Sequence, residues 1–175
     1  MNRKTNTPIG NNSVTLGTNN RAAGSDSMAI GNSNVANGNY SFATGSLSNA
    51  TGEGAFAEGS NTMAAGAYSH TEGLGTITEK DYASFSHAEG VGTTTNNQGE
   101  HAEGRYNLSN RAVEGAIDNA GNTMHSVGIG SNGLSRKNAF EIMQNGDVYV
   151  IGIGGYDGTN PNTAKTLQQV LAELT

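Results

Sequence analysis

Three His-x-Glu pairs carry the chemistry that this chain could offer: His70 with Glu72, His87 with Glu89, and His101 with Glu103. Residues i and i+2 of an extended strand project from one face. Each pair therefore sets an imidazole beside a carboxylate. Imidazole nitrogen and carboxylate oxygen together form a donor set for divalent transition metals. The same residues also suit a polar ladder, partly solvated or mutually hydrogen bonded. The ladder is the favoured reading and an ion site the alternative. If the glutamates raise the histidine pKa, the histidines stabilise the fold fully below about pH 6.5 and less as pH rises.

Other chemistries are poorly supported. Cysteine is absent, so thiol catalysis and disulfides are excluded and the redox compartment stays open. No serine stands in a nucleophile-elbow sequence. Asp81 and Asp118 with nearby glutamates read as surface loops rather than a glycosidase pair. The run Gly128-Ile129-Gly130-Ser131-Asn132-Gly133 matches G-x-G-x-x-G. A dinucleotide site needs a helix to open there, and the residues from Ser131 to Arg136 are turn-like. The expectation is a non-enzyme without a cofactor.

The pairs sit on a repeat. Glycine recurs every seven residues at Gly17, Gly24, Gly31, Gly38, Gly45, Gly52, Gly59, Gly66 and Gly73. A small residue stands two places earlier: Thr15, then Ala22, Ala29, Ala36, Ala43, Ala50, Ala57 and Ala64, then Thr71. Such units are too short for helices, and each glycine costs a helix about 1 kcal/mol. Short strands joined by tight turns fit. Alternate repeats share a second pattern, with Val14, Met28, Phe42, Phe56 and His70 three places before glycine. One place before glycine stand Leu16, Ile30, Thr44, Glu58 and Glu72. The unit is then a fourteen-residue coil of two short strands. Alanine marks the narrow interior, and glycine permits positive φ at each corner. The columns from Val14 to Phe56 read as core or subunit interface.

The beat slips by three residues between Gly73 and Gly90, which places a bulged loop within 76–83. It returns at Gly104 and, as a weaker match, ends at Gly115. About seven coils at 4.8 Å each give a rod about 34 Å long. Four segments result: an N-terminal arm (1–11), the repeats (12–115), a β-hairpin region (116–158) and a C-terminal helix (159–175). The hairpin turns at Gln144-Asn145-Gly146-Asp147, since Asn-Gly between apolar runs signals a hairpin. Pro161 suits the helix's first turn. Leu167, Val170, Leu171 and Leu174 form a stripe that suits a short coiled coil with identical neighbours.

Composition agrees with a repeat protein rather than one large core. Of 175 residues, 26 are glycine and only 34% are hydrophobic, so burial must come between repeats or between chains. The net charge of −6 disfavours nucleic acid. No apolar run reaches membrane-spanning length.

The repeats Ser13-Val14-Thr15-Leu16-Gly17 and Ser27-Met28-Ala29-Ile30-Gly31 resemble the head domain of YadA-like trimeric adhesins. The resemblance covers residues 12–115. It implies an all-β fold, a left-handed parallel β-roll in a homotrimer. Ser86-His87-Ala88-Glu89-Gly90 resembles the same repeats in phage tail-fibre and tail-tip proteins. The stretches Arg136 to Ile142, Asn145 to Val150, Tyr156 to Thr159 and Ala164 to Leu167 resemble the ends of phage fibres. The chain shows neither a secretion signal nor a membrane-anchoring barrel segment. The implied function is multivalent attachment of a virion appendage, with other tail proteins and a bacterial surface glycan or protein as partners. The loops at 75–84, 92–98 and 105–110 are the expected contacts. Alternatives are a bacterial cell-surface autotransporter adhesin, a glycan-degrading tailspike and an ice-binding solenoid. The last would need a regular Thr-x-Thr array, which is missing.

Overall fold

The computed structural model describes residues 10–110, 119–150 and 171–172. Each coil joins a five-residue strand to a two-residue strand. In chain order these are β1 (Val14–Thr18) and β2 (Arg21–Ala22), β3 (Met28–Asn32) and β4 (Val35–Ala36), β5 (Phe42–Ser46) and β6 (Asn49–Ala50). Next come β7 (Phe56–Ser60) and β8 (Met63–Ala64), β9 (His70–Leu74) and β10 (Ile77–Thr78), β11 (His87–Val91) and β12 (Thr94–Thr95). The chain then forms β13 (His101–Arg105), β14 (Thr123–Ile129), β15 (Asn138–Met143) and β16 (Val148–Val150). The long strands stack in parallel from β1 to β14, and the short strands form a second, six-stranded parallel sheet. The protein is an all-β parallel solenoid of about seven turns.

The fourteen-residue register is direct. Val14 pairs with Met28, Met28 with Phe42, and Phe42 with Phe56, while Gly17, Gly31, Gly45 and Gly59 stack on one another. Between the sheets lies the alanine interior. Ala22, Ala29, Ala36, Ala43, Ala50, Ala57 and Ala64 are fully buried, as are Ala88 and Ala102 further along. Only small side chains fit, alanine and further along Thr71, Thr78 and Thr95, so the coil is thin. Polar side chains close its ends. Ser27, Ser41 and Ser69 donate from Oγ to the carbonyls of Gly24, Gly38 and Gly66 at 2.6–2.7 Å. Asn34 donates to Ile30 O and Gly45 O and accepts from Ser48 N, tying three coil segments together. These bonds satisfy backbone groups that a narrow interior hides from water.

The glycines are of two kinds, which corrects the uniform reading. Gly17, Gly31, Gly45, Gly59 and Gly73 have φ between +102° and +116°. Gly24, Gly38, Gly52 and Gly66 do not; in both kinds the next coil's carbonyl occupies the space of a β-carbon. The left-handed corner residues lie two places after glycine instead. They form one column of Asn19, Ser33, Leu47 and Asn61, and another of Asn12, Asp26, Tyr40, Tyr68 and Phe85. Gly54 and Gly92 belong to these columns, and the rings of Tyr68 and Tyr106 cover them from the next coil. Leu47 holds φ of +60° while 52% exposed. Left-handed backbone costs a non-glycine residue about 1–2 kcal/mol, and asparagine tolerates it better. Leu47→Asn is therefore expected to stabilise the chain by about 0.5–1 kcal/mol, read as a higher urea midpoint. An unchanged or lower midpoint contradicts the assignment.

Several boundaries differ from the sequence reading. The roll continues past Gly115: β14 pairs with β13 in register, Gly128 beside Gly104 and His125 beside His101. Gly115 itself lies outside the described residues. The three extra residues of the slip form a turn after β10, where Ala83 N donates to Glu79 O at 3.3 Å and Ala83 takes a glycine's place beneath Gly66. The expected hairpin is present as β15 and β16, antiparallel, with φ of +89° at Gly146. It joins the roll's own sheet through β14. The column Val14, Met28, Phe42 and Phe56 stands on the outer face rather than in the chain's interior. Of the C-terminal segment, only Leu171 and Ala172 are described, both with helical backbone and exposed. Leu167 and Leu174 lie outside the described residues, as do residues 1–9 of the arm.

Candidate metal centre

The outer face of the long sheet changes from apolar to ionisable along its length. One column runs Phe42, Phe56, His70, His87, His101 and His125, and its rings stack face to face. The centroid separations are 5.0, 4.7, 4.5, 5.0 and 5.0 Å in that order. Phe140 of β15 closes the stack edge-on at 6.0 Å. Beside it runs the carboxylate column of Glu58, Glu72, Glu89 and Glu103 on β7, β9, β11 and β13. Thr71, Ala88 and Ala102 point inward between members of each pair and are fully buried. They fix the strands, and the strand alternation puts His and Glu outward together.

Each histidine meets the glutamate of the preceding coil, not its own sequence neighbour. His70 Nε2 lies 3.3 Å from Glu58 Oε1, His101 Nε2 3.3 Å from Glu89 Oε1, and His125 Nε2 3.3 Å from Glu103 Oε1. His87 Nε2 is 3.7 Å from Glu72 Oε1, buried, and without a hydrogen bond. The result is a diagonal staircase of four contacts. The three expected pairs are all in it, and two members, Glu58 and His125, were not assigned to the site from sequence. Glu58 stands one place before Gly59, and His125 three places before Gly128, which are the column positions.

The electrostatics reverse one expectation. Burial, then repulsion from His70 and His101, holds the His87 pKa below the ordinary histidine value, and Glu72 offsets this only in part. A lowered histidine pKa gives stability that is present above the unfolded value near 6.5 and lost as pH falls. The expected gain below pH 6.5 is thus absent at His87. Glu72 and Glu89, paired across β9 and β11, shift in opposite directions. A hydrogen bond between their carboxyls lowers Glu72 and raises Glu89, as for two acids sharing one proton. Two sets of ligand atoms converge within 4.8 Å: Glu58, His70 and Glu72, and then Glu72, His87 and Glu89. His101 and Glu103 join no such set among the described residues.

The glycine-rich run at 128–133 leaves β14 into a turn closed by the Asn132–Ser135 bridge, and no helix opens there. Asp81 is an exposed residue of the turn after β10, and Asp118 lies outside the described residues. No protein-family model matches the chain, and searches of curated proteins and of solved structures also return no match.

Proposed function

We propose that the protein is a structural attachment subunit, a homotrimeric β-roll rod in a phage tail fibre or tail tip. Three chains with left-handed winding pack their long sheets against one another, and the C-terminal helices form a short coiled coil. Surface corners and loops then meet a bacterial surface glycan or protein in three copies, so weak contacts add by avidity. One observation carries this reading: a single chain leaves an apolar stripe uncovered. Val14 is 38% exposed, Leu16 42% and Met28 36%, and Phe42 and Phe56 continue the stripe half-buried. A thin alanine interior gives a lone coil little apolar burial, so association between chains supplies what is missing.

Light scattering on the purified full chain tests the assembly. The expected mass is three times 17.9 kDa, and a stable monomer overturns the trimer. Binding of the intact protein to host cells tests attachment. Saturable binding is expected without any change in the glycan, and cleavage of surface polysaccharide would instead favour the tailspike reading.

A further inference from the structure

We propose that the staircase binds a divalent transition-metal ion of the zinc class, with Glu72, His87 and Glu89 as the principal ligands. This inference goes beyond attachment and stands on residues of one chain, so it does not depend on the trimer.

Four observations support it. The three ligand atoms already lie within 4.8 Å of one another, on adjacent strands β9 and β11. His87 Nε2 is buried and makes no hydrogen bond, whereas the other three histidines each hold a glutamate at 3.3 Å. The Nε2 lone pair therefore faces Glu72 and Glu89 uncommitted to a hydrogen bond, as a metal ligand requires. Glu72 and Glu89 also stand directly opposite one another in register, so both carboxyls present an oxygen to the same point. Finally, the His70 and His101 rings sandwich His87 at 4.5 and 5.0 Å, and hold its ring in the plane that points Nε2 at the carboxylates.

Mixed imidazole and carboxylate donors select zinc-class ions over magnesium and calcium, which prefer all-oxygen shells. Three protein ligands leave a fourth position for water. The lower set, Glu58 with His70, shares Glu72, so occupancy of the principal site leaves it one ligand short.

Calorimetric titration of the metal-free full chain with zinc chloride tests the proposal. Saturable binding of one ion per chain is expected, with no comparable signal from magnesium chloride. Cobalt should give the visible absorption of a nitrogen- and oxygen-ligated centre. His87→Gln is expected to weaken zinc binding at least about tenfold. His125→Gln, outside both sets, should bind within about twofold of the wild type. Glu89→Gln provides a second variant should His87→Gln fail to fold, and the same loss is expected. Absence of saturable zinc binding in the wild type, or wild-type affinity in folded His87→Gln or Glu89→Gln, overturns the site.

Discussion

Gly38→Ala is expected to unfold the roll or to cost it about 4 kcal/mol or more. The reason is the neighbouring coil, not backbone preference. Gly38 has no positive φ, yet an added β-carbon would meet the Gly52 carbonyl carbon at 2.5 Å and Glu53 N at 3.1 Å. Neither atom can retreat. The same two coils are clamped on either side by Asn37 N to Ala50 O at 2.9 Å and Phe42 N to Ala55 O at 2.9 Å. Relief therefore needs a break in the ladder, and the strain passes to every coil stacked beyond. Gly75→Ala is the matched control. Gly75 has φ of +65° but open space around its Cα, so only the left-handed penalty of about 1 kcal/mol applies. Circular dichroism against urea distinguishes the two. If Gly38→Ala unfolds at the midpoint of Gly75→Ala, the close stacking of coils is wrong.

Glu100→Gln should remove most of the pH dependence of stability between pH 5 and 8. Glu100 is fully buried, and its Oε2 accepts from Asn96 N, Asn97 N, Asn97 Nδ2 and Ser109 Oγ at 2.8–3.0 Å. Its Oε1 has no partner. Burial pushes the carboxyl up to about 7, against an ordinary value of 4.5, and the four hydrogen bonds offset burial only in part. The folded state therefore holds the proton more tightly than the unfolded chain. Stability from this group is complete below about pH 4.5 and is lost as pH rises through about 7. At one pKa unit per 1.36 kcal/mol, the loss by pH 8 is on the order of 3 kcal/mol. His87 acts in the opposite direction, losing stability as pH falls, so the variant must be compared with wild type at each pH. A constant difference between the two midpoints from pH 5 to pH 8 would refute the Glu100 assignment.

The coil itself was legible because its period is set by steric need. Glycine stands where the next coil's carbonyl leaves no room for a β-carbon, and alanine where two sheets admit only a small side chain. Sidedness was legible too, since strand alternation alone puts His70 and Glu72 outward. Three features were hidden for physical reasons. His125 was missed because its coil begins 24 residues after the previous one, although the strand still finds its register through hydrogen bonds to β13. The pairing of each histidine with the preceding coil's glutamate depends on side-chain lean, which spacing does not encode. The lowered His87 pKa depends on burial outweighing a neighbouring charge, a contest of magnitudes that residue types leave undecided. Glu100 could have been found. It occupies the slot of Ser27, Ser41, Ser69 and Ser86, three places after the coil's glycine position, where Asn97 replaces glycine. A carboxylate in a serine slot, beside an asparagine in a glycine slot, marks a local redesign of the corner.

The two corner columns differ in one further respect. From β1 to β12 the corner that leads from a long strand to a short one never changes length. Among the described residues, the departure from fourteen falls on the opposite corner, between β10 and β11. That edge already bears the exposed rings of Tyr40, Tyr68 and Phe85. The rod therefore has a seam that accepts foreign chain and an edge that refuses it. Peptides spliced into the seam would hang outward without shifting a single alanine, histidine or glutamate column. Their anchor points would be spaced by whole multiples of about 4.8 Å. A molecule built this way is a graduated ruler, able to diversify what it displays while its markings stay fixed.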